Sequence, residues 1–284
     1  MCRMLAIVSH KPAPVDTLMA FRALADTGRN FRDFGCPQPS PKSGHPDGWG
    51  IACIGQEGEF YARGPAKATE DPKYEDAVRR LARVCSPPLI LVAHLRYASK
   101  KDTIQERYSH PFRREVDGRV LFFAHNGEIE EFGVRDGKID SQFIYDRFVE
   151  SLGTEERPIS EFKQAIAKAK AGIDEEFPRK VESYTFLLID GDRVIAHRDA
   201  RTCVPYYTLH ETGTEEARIV CSRSFRRSRG AGACSGTANS SSSGRDAKEA
   251  GSPAERSWDN RFTRHKRVES RGRKIGSSLG RRVK

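Results

Sequence analysis

The sequence contains no C-x-x-C pair, no H-E-x-x-H, no long apolar run and no internal repeat. Each absence closes off a class of protein. Seven cysteines (2, 36, 53, 85, 203, 221 and 234) make an odd number without paired spacing. That argues against a disulfide framework or a thiolate zinc site and reads as a reduced, cytoplasmic chain. The eight histidines include no closely spaced ligand pair, so no metal and no other cofactor is expected. The first apolar run ends at Ser9-His10-Lys11-Pro12, too short for a signal-peptide core or a membrane span. Without a repeat, a solenoid is excluded. Without a regular βαβ beat, so is a doubly wound sheet.

Charge is present in quantity but unevenly placed. The chain has 284 residues and a net charge of +10. Residues 223–284 hold 17 of the 49 Lys+Arg but 5 of the 39 Asp+Glu, so they carry +12 and residues 1–222 carry −2. After Cys221 the composition turns to Ser, Gly and Arg with few aliphatic side chains. Such a segment buries too little apolar surface to offset chain entropy, and 223–284 is expected to be a disordered basic tail. An out-of-frame reading of the gene would produce so abrupt a switch; it would also leave a sheet edge uncovered. A genuine tail is the alternative.

Runs rich in β-branched and aromatic residues predict strands near 3–8, 48–54, 89–96, 119–125, 184–190, 193–198 and 204–209, with a further apolar strand at "RIVCS". Gly191 marks a hairpin turn. Helical periodicity appears at 14–26, 74–85, 141–152 and 159–171.

Five stretches could carry chemistry, and each also has a plain structural reading. In "MCRMLAI", Cys2 is either a small packing residue or, once Met1 is trimmed, a thiol and a free α-amine on one residue. In "DGWG", Gly48 and Gly50 suit a tight loop that lets backbone come close, or an ordinary turn beside a packing Trp49. Arg96, ending the strand "LILVAHLR", can fork onto a carboxylate or make a surface ion pair. Asn126-Gly127, ending "VLFFAHNG", can be a turn, or can aim an amide side chain and an unhindered backbone N–H at one point, as an oxyanion needs. Asp140, opening a helix, can cap it or reach for an ammonium.

In this order the stretches resemble the class II glutamine amidotransferases of the N-terminal-nucleophile hydrolase superfamily. The likeness is to short free-standing members with "M-C-R/E-x-L", "D-G-W-G-I", "A-H-x-R", "H-P-F", "A-H-N-G" and "T-D-S-E", and it covers residues 2–222. It implies an α+β fold, a four-layer αββα sandwich of two antiparallel sheets between helix layers. It implies that Cys2 is the nucleophile, that Asn126 and the Gly127 N–H form the oxyanion hole, and that Arg96 and Asp140 hold the α-carboxylate and α-ammonium of glutamine. The reaction would be hydrolysis of the side-chain amide through a thioester, releasing ammonia and glutamate. The last motif departs, reading I-D-S-Q, which bears on the grip on substrate. Two alternatives stand beside this reading. One is a γ-glutamyl amide hydrolase acting on a larger molecule, of the ergothioneine-pathway type. The other is a basic nucleic-acid-binding protein, disfavoured because the tail has few interleaved aromatics and the body is slightly acidic. An acceptor-domain protein partner is left open.

Overall fold

Every residue of the first strand, β1 (Arg3–Ser9), is buried. Met4, Ala6 and Val8 belong to one core, and Leu5 and Ile7 to another. A strand covered on both faces must sit inside stacked layers. The computed structural model describes residues 2–37, 44–153 and 158–222, and the backbone of 254–259, and shows these layers.

One sheet is built outward from β1. It pairs antiparallel with β12 (Ala217–Cys221) on one side and β4 (Leu89–Leu95) on the other. Beyond β4 lie β2 (Trp49–Gly55) and the edge strand β3 (Gly58–Gly64); β11 (His210–Gly213) forms the opposite edge. The second sheet runs β13 (Ala254–Asp259), β10 (Arg193–Arg198), β9 (Thr185–Asp190), β6 (Arg119–Asn126) and β5 (Phe112–Val116), again antiparallel throughout. A small ladder joins β7 (Val134–Arg135) to β8 (Lys138–Ile139).

Helices α1 (Val15–Arg22), α2 (Leu24–Thr27) and α3 (Pro72–Val84) cover the outer face of the first sheet, sealing Leu18, Phe21 and Leu81 against Leu91 and Leu95. Helices α4 (Asp140–Leu152) and α5 (Ile159–Glu176) cover the second, sealing Ile144 and Phe148 against Phe123 and Phe186. Between the sheets lies a third core of Met4, Ala6, Ile90, Val92, Phe122, Leu187 and Ile189 among others. This is the four-layer αββα sandwich the sequence led one to expect. Local chemistry sets the helix starts; at α3, Asp71 accepts the Lys73 N–H at 3.0 Å and Pro72 fills the first turn.

Several expectations are corrected. The helix expected over 14–26 is broken at Ala23 into α1 and α2. Residues 204–209 form turns instead of a strand: the neighbours Tyr206 and Tyr207 are both buried, packed edge-on to Phe31, which strand alternation on one covered face does not allow. That cluster brings Cys36 beside Cys203, and the two form a disulfide across 167 residues, so an unpaired spacing pattern did not exclude one long-range bridge. Strands β3 and β5 escape notice because they are sheet edges carrying charged side chains. Of the expected tail, most lies outside the described residues, but the backbone of Ala254–Asp259 pairs with β10 and covers that sheet edge. Among the described residues no helix is long and apolar enough to cross a membrane.

Candidate active site

Strand alternation decides which side chains meet at one end of the inter-sheet layer. Cys2 precedes β1 and shares the parity of Met4, Ala6 and Val8; Asn126 ends β6 with the parity of Phe122 and Ala124. Both therefore point between the sheets. They meet there: the Cys2 backbone N–H donates to Asn126 Oδ1 at 2.8 Å. With Oδ1 so engaged, Asn126 Nδ2 is a buried donor without a hydrogen-bond partner. Its neighbour Gly127 can be nothing else, since a Cβ there would lie 2.1 Å from the Ser183 carbonyl oxygen.

His125 holds this turn. Its Nε2 lies 3.0 Å from the Ser183 carbonyl and its Nδ1 2.9 Å from Ser141 Oγ, so the partners assign the proton to Nε2. Burial pulls its pKa down to about 4 and keeps the ring neutral.

The Cys2 main chain is gripped from several sides. Its carbonyl accepts from the Tyr206 hydroxyl at 3.1 Å. The buried Arg3 guanidinium stacks 4.3 Å from the Tyr206 ring centre and donates to the carbonyls of Ser222 and Arg29. Burial alone would push the Cys2 thiol up; the ammonium at the chain's N-terminus and His94 outweigh it and bring the pKa down to about 6. In the written chain that ammonium belongs to Met1, and trimming Met1 transfers it to Cys2 itself.

His94 sits opposite Met4 on β4, and its Nε2 lies 3.3 Å from the His125 carbonyl. Its Nδ1 is buried without a partner, and its ring lies 4.3 Å from that of His110, both of whose nitrogens are also buried and unpartnered. Gly50, facing His94 across the β2–β4 ladder, leaves the room this needs; a Cβ there would lie 2.1 Å from the His110 carbonyl oxygen.

Arg96 and Asp140 line a single pocket together with Ser99, Lys100, Thr103 and Glu128. Arg96 is 5% exposed. Its guanidinium is aimed by bonds to the Thr103 carbonyl at 2.7 Å and to Thr103 Oγ1 at 3.0 Å. The "DGWG" loop braces its backbone: Asp47 N–H donates to the Arg96 carbonyl, Arg96 N–H to the Gly48 carbonyl, and Asp47 Oδ2 accepts from Ala98 N–H. Trp49 turns away to the outer core and donates to Asp71 at 2.8 Å. Asp140 is the first residue of α4; its oxygens accept from Ile129 N–H at 2.9 Å and Ser141 N–H at 2.7 Å. Burial pushes its pKa up, against those bonds and the charge of Arg96. Glu128, also raised by burial, accepts from Ser99 Oγ at 2.7 Å.

The five residues singled out from sequence thus fall into a bonded Cys2–Asn126 pair with Gly127 beside it, and an Arg96–Asp140 pocket. His94, Tyr206 and Glu128 were not singled out. His94 stood in plain view within "AHLR", whereas Tyr206 and Glu128 reach the site only through tertiary packing. Among the described residues no group of His, Cys, Asp or Glu is arranged to hold a metal ion.

A protein of Escherichia coli named YafJ, provisionally a glutamine amidotransferase, is 27% identical over 212 residues, covering 69% of this chain and 72% of its own. An uncharacterised protein of Methanocaldococcus jannaschii is 28% identical over 55% of this chain, and the match spans only 44% of that relative. Among solved structures, the glutamine phosphoribosylpyrophosphate amidotransferase of B. subtilis superposes with a TM-score of 0.50 at 18% identity, over 78% of this chain and 42% of that one. A structure described as the allosteric regulatory enzyme of purine biosynthesis gives 0.53 at 17%, over 80% and 44%. These two establish likeness of fold alone. The family description "Glutamine amidotransferases class-II" matches residues 1–219, and on that match the chain belongs to the class-II glutamine amidotransferases.

Proposed function

We propose that the chain hydrolyses the side-chain amide of glutamine, with Cys2 as nucleophile after removal of Met1. The observation that carries this reading is the Cys2–Asn126 pair: the Cys2 backbone N–H is bonded to Asn126 Oδ1, the Cys2 thiol pKa is brought down to about 6, and the buried Nδ2 of the same amide lacks a hydrogen-bond partner. An amide carbon is a poor electrophile, so it calls for a thiolate and for preorganised donors at its oxygen. Arg96 takes the α-carboxylate of glutamine as a fork, and Asp140, with Glu128 in the same pocket, takes the α-ammonium.

The α-amine of Cys2 accepts the thiol proton, and sulfur attacks the amide carbon. Negative charge arises on the amide oxygen and is met by Asn126 Nδ2 and the Gly127 N–H. Collapse expels ammonia, which leaves with the proton held by the amine, and the acyl group remains on sulfur as a thioester. Water then adds to the thioester, the amine again moving the proton, and glutamate departs. Residues 2–222 form the catalytic unit and 223–284 add nothing to the chemistry.

The test is ammonia release from glutamine. Cys2→Ala should abolish it and Cys2→Ser should leave weak activity at best. Full activity in protein that demonstrably retains Met1 would rule out the amine as base. Faster turnover of a γ-glutamyl amide on a larger molecule would move the substrate assignment while keeping every role.

A further inference from the structure

The edge strands β3 and β5 come together at one side of the molecule, tied by Arg113–Glu59 at 2.9 Å and by the Tyr61 hydroxyl donating to the Pro111 carbonyl at 2.7 Å. Between them and α4 is a cleft of about 280 Å³ whose wall includes Tyr61, Arg63, Arg107, Arg114, Lys138 and Tyr145. It continues past Tyr61 and Arg63 into a wider groove of about 660 Å³ that adds Lys73, Arg80 and Arg83 together with Asp76 and Glu106. The smaller cleft shares no lining residue with the Arg96–Asp140 pocket, so nothing about it rests on the glutaminase reading.

Its charges do not cancel. Arg113 on its wall is answered by Glu59 and Glu115, and Asp146 is held by both Arg114 and Lys138. Arg63 donates to the carbonyls of Arg107 and Ser109, at 3.4 and 3.3 Å, lies 5.5 Å from the Tyr61 ring centre, and has no carboxylate partner among the described residues. Arg107 stacks 4.7 Å from the Tyr108 ring centre and has no carboxylate partner among the described residues. Two planar guanidinium forks, with a further excess from Arg114 and Lys138 over one Asp146, therefore gather on a body that is slightly acidic overall.

Tyr145 supplies an independent sign. It is 3% exposed, its ring stacks on Phe123 at 4.8 Å, and its hydroxyl is buried with no hydrogen-bond partner. A buried O–H left unpaired is destabilising, and Phe would stack equally well. Burial also pushes its pKa up, so the group stays a donor.

We propose that this cleft binds the phosphate of a small phosphorylated molecule. Arg63 and Arg107 fork onto the phosphate oxygens, Tyr145 donates to one of them directly or through an ordered water, and the wider groove takes the rest of the ligand. A doubly charged group matches the uncompensated guanidinium pair better than a single carboxylate does, and a small cleft with a buried donor suits a small ligand better than an extended polyanion.

The experiment is calorimetric titration of the full chain with inorganic phosphate and pyrophosphate at fixed ionic strength, beside a thermal melt. Pyrophosphate should bind saturably. The double variant Arg63→Gln/Arg107→Gln should weaken binding at least tenfold. Tyr145→Phe should weaken it several-fold while raising the melting temperature, a combination that a merely structural hydroxyl does not give. Absence of saturable binding, unchanged affinity in either variant, or an oligonucleotide binding more tightly than pyrophosphate with steep salt dependence would overturn the assignment.

Discussion

The layer between the two sheets is dry along most of its length and polar at one end. In the dry part, Met4, Ala6, Val92, Phe122, Leu187 and Ile189 pack with no polar atom among their side chains except one thioether. A few residues along the same strands, the same inward positions carry Cys2, His94 and Asn126, with His110 beside them. There, His94 Nδ1, both His110 nitrogens and Asn126 Nδ2 are buried without partners. Unpaired buried polar atoms each cost about 1–3 kcal/mol, so the polar end is kept at the expense of stability. The dry part makes the fold; the polar end, where the proposed chemistry lies, draws on that stability.

The difference can be broken by exchanging which property is lost. Phe122→Ala in the dry part should cost about 3–5 kcal/mol of stability, read by denaturant unfolding, while the enzyme that remains folded keeps its pH profile. Asn126→Ala at the polar end should do the reverse: a loss in kcat on the order of 10²–10³, with a melting temperature unchanged or only slightly lowered. Comparable destabilisation by both would mean the two ends differ in nothing that matters to function.

Smaller effects sharpen the contrast inside the polar end. Arg96→Ala and Asp140→Ala should raise KM for glutamine by about 10–100-fold, the value of a charge-assisted bond, with kcat less affected. If Asp140→Ala leaves KM alone, Asp140 serves only the start of α4. His94→Gln should act through ionisation. Wild-type activity is expected above the Cys2 thiol pKa and should fall as pH drops through about 6, because the thiolate is lost. Without His94 that acid limb should move to higher pH, by about one unit or less, each unit being worth about 1.4 kcal/mol. A limb that stays in place would make His94 a packing residue.

The sandwich was legible because buried strands announce themselves by apolar runs: β1, β4 and β9 are buried throughout, and β6 is buried from Leu121 to its end. The edge strands β3 and β5 are short, mostly half-buried or exposed, and interrupted by Glu and Arg side chains, and give no such signal. Residues 204–209 misled for the opposite reason, since aromatic residues favour strands in general, yet here Tyr206 and Tyr207 serve a cluster around Phe31. At the site, ordered motifs were enough to bring forward Cys2, Arg96, Asn126, Gly127 and Asp140. Side chains that support them across the fold were not visible: Tyr206 meets Cys2 across 204 residues, and the Cys36–Cys203 bridge closes beside it. Such pairings are set by topology, which no local window contains.

The most direct test of Cys2 as an N-terminal nucleophile is intact mass and peptide mapping after incubation with 6-diazo-5-oxo-norleucine, a glutamine-mimicking alkylator. The expected result is a chain lacking Met1 that takes up one equivalent of label on the Cys2 thiol, with glutaminase activity lost in proportion and labelling slowed by glutamine. A chain that retains Met1 and is nonetheless active, or label carried by Cys53, Cys85 or Cys221 with Cys2 unmodified, would contradict it.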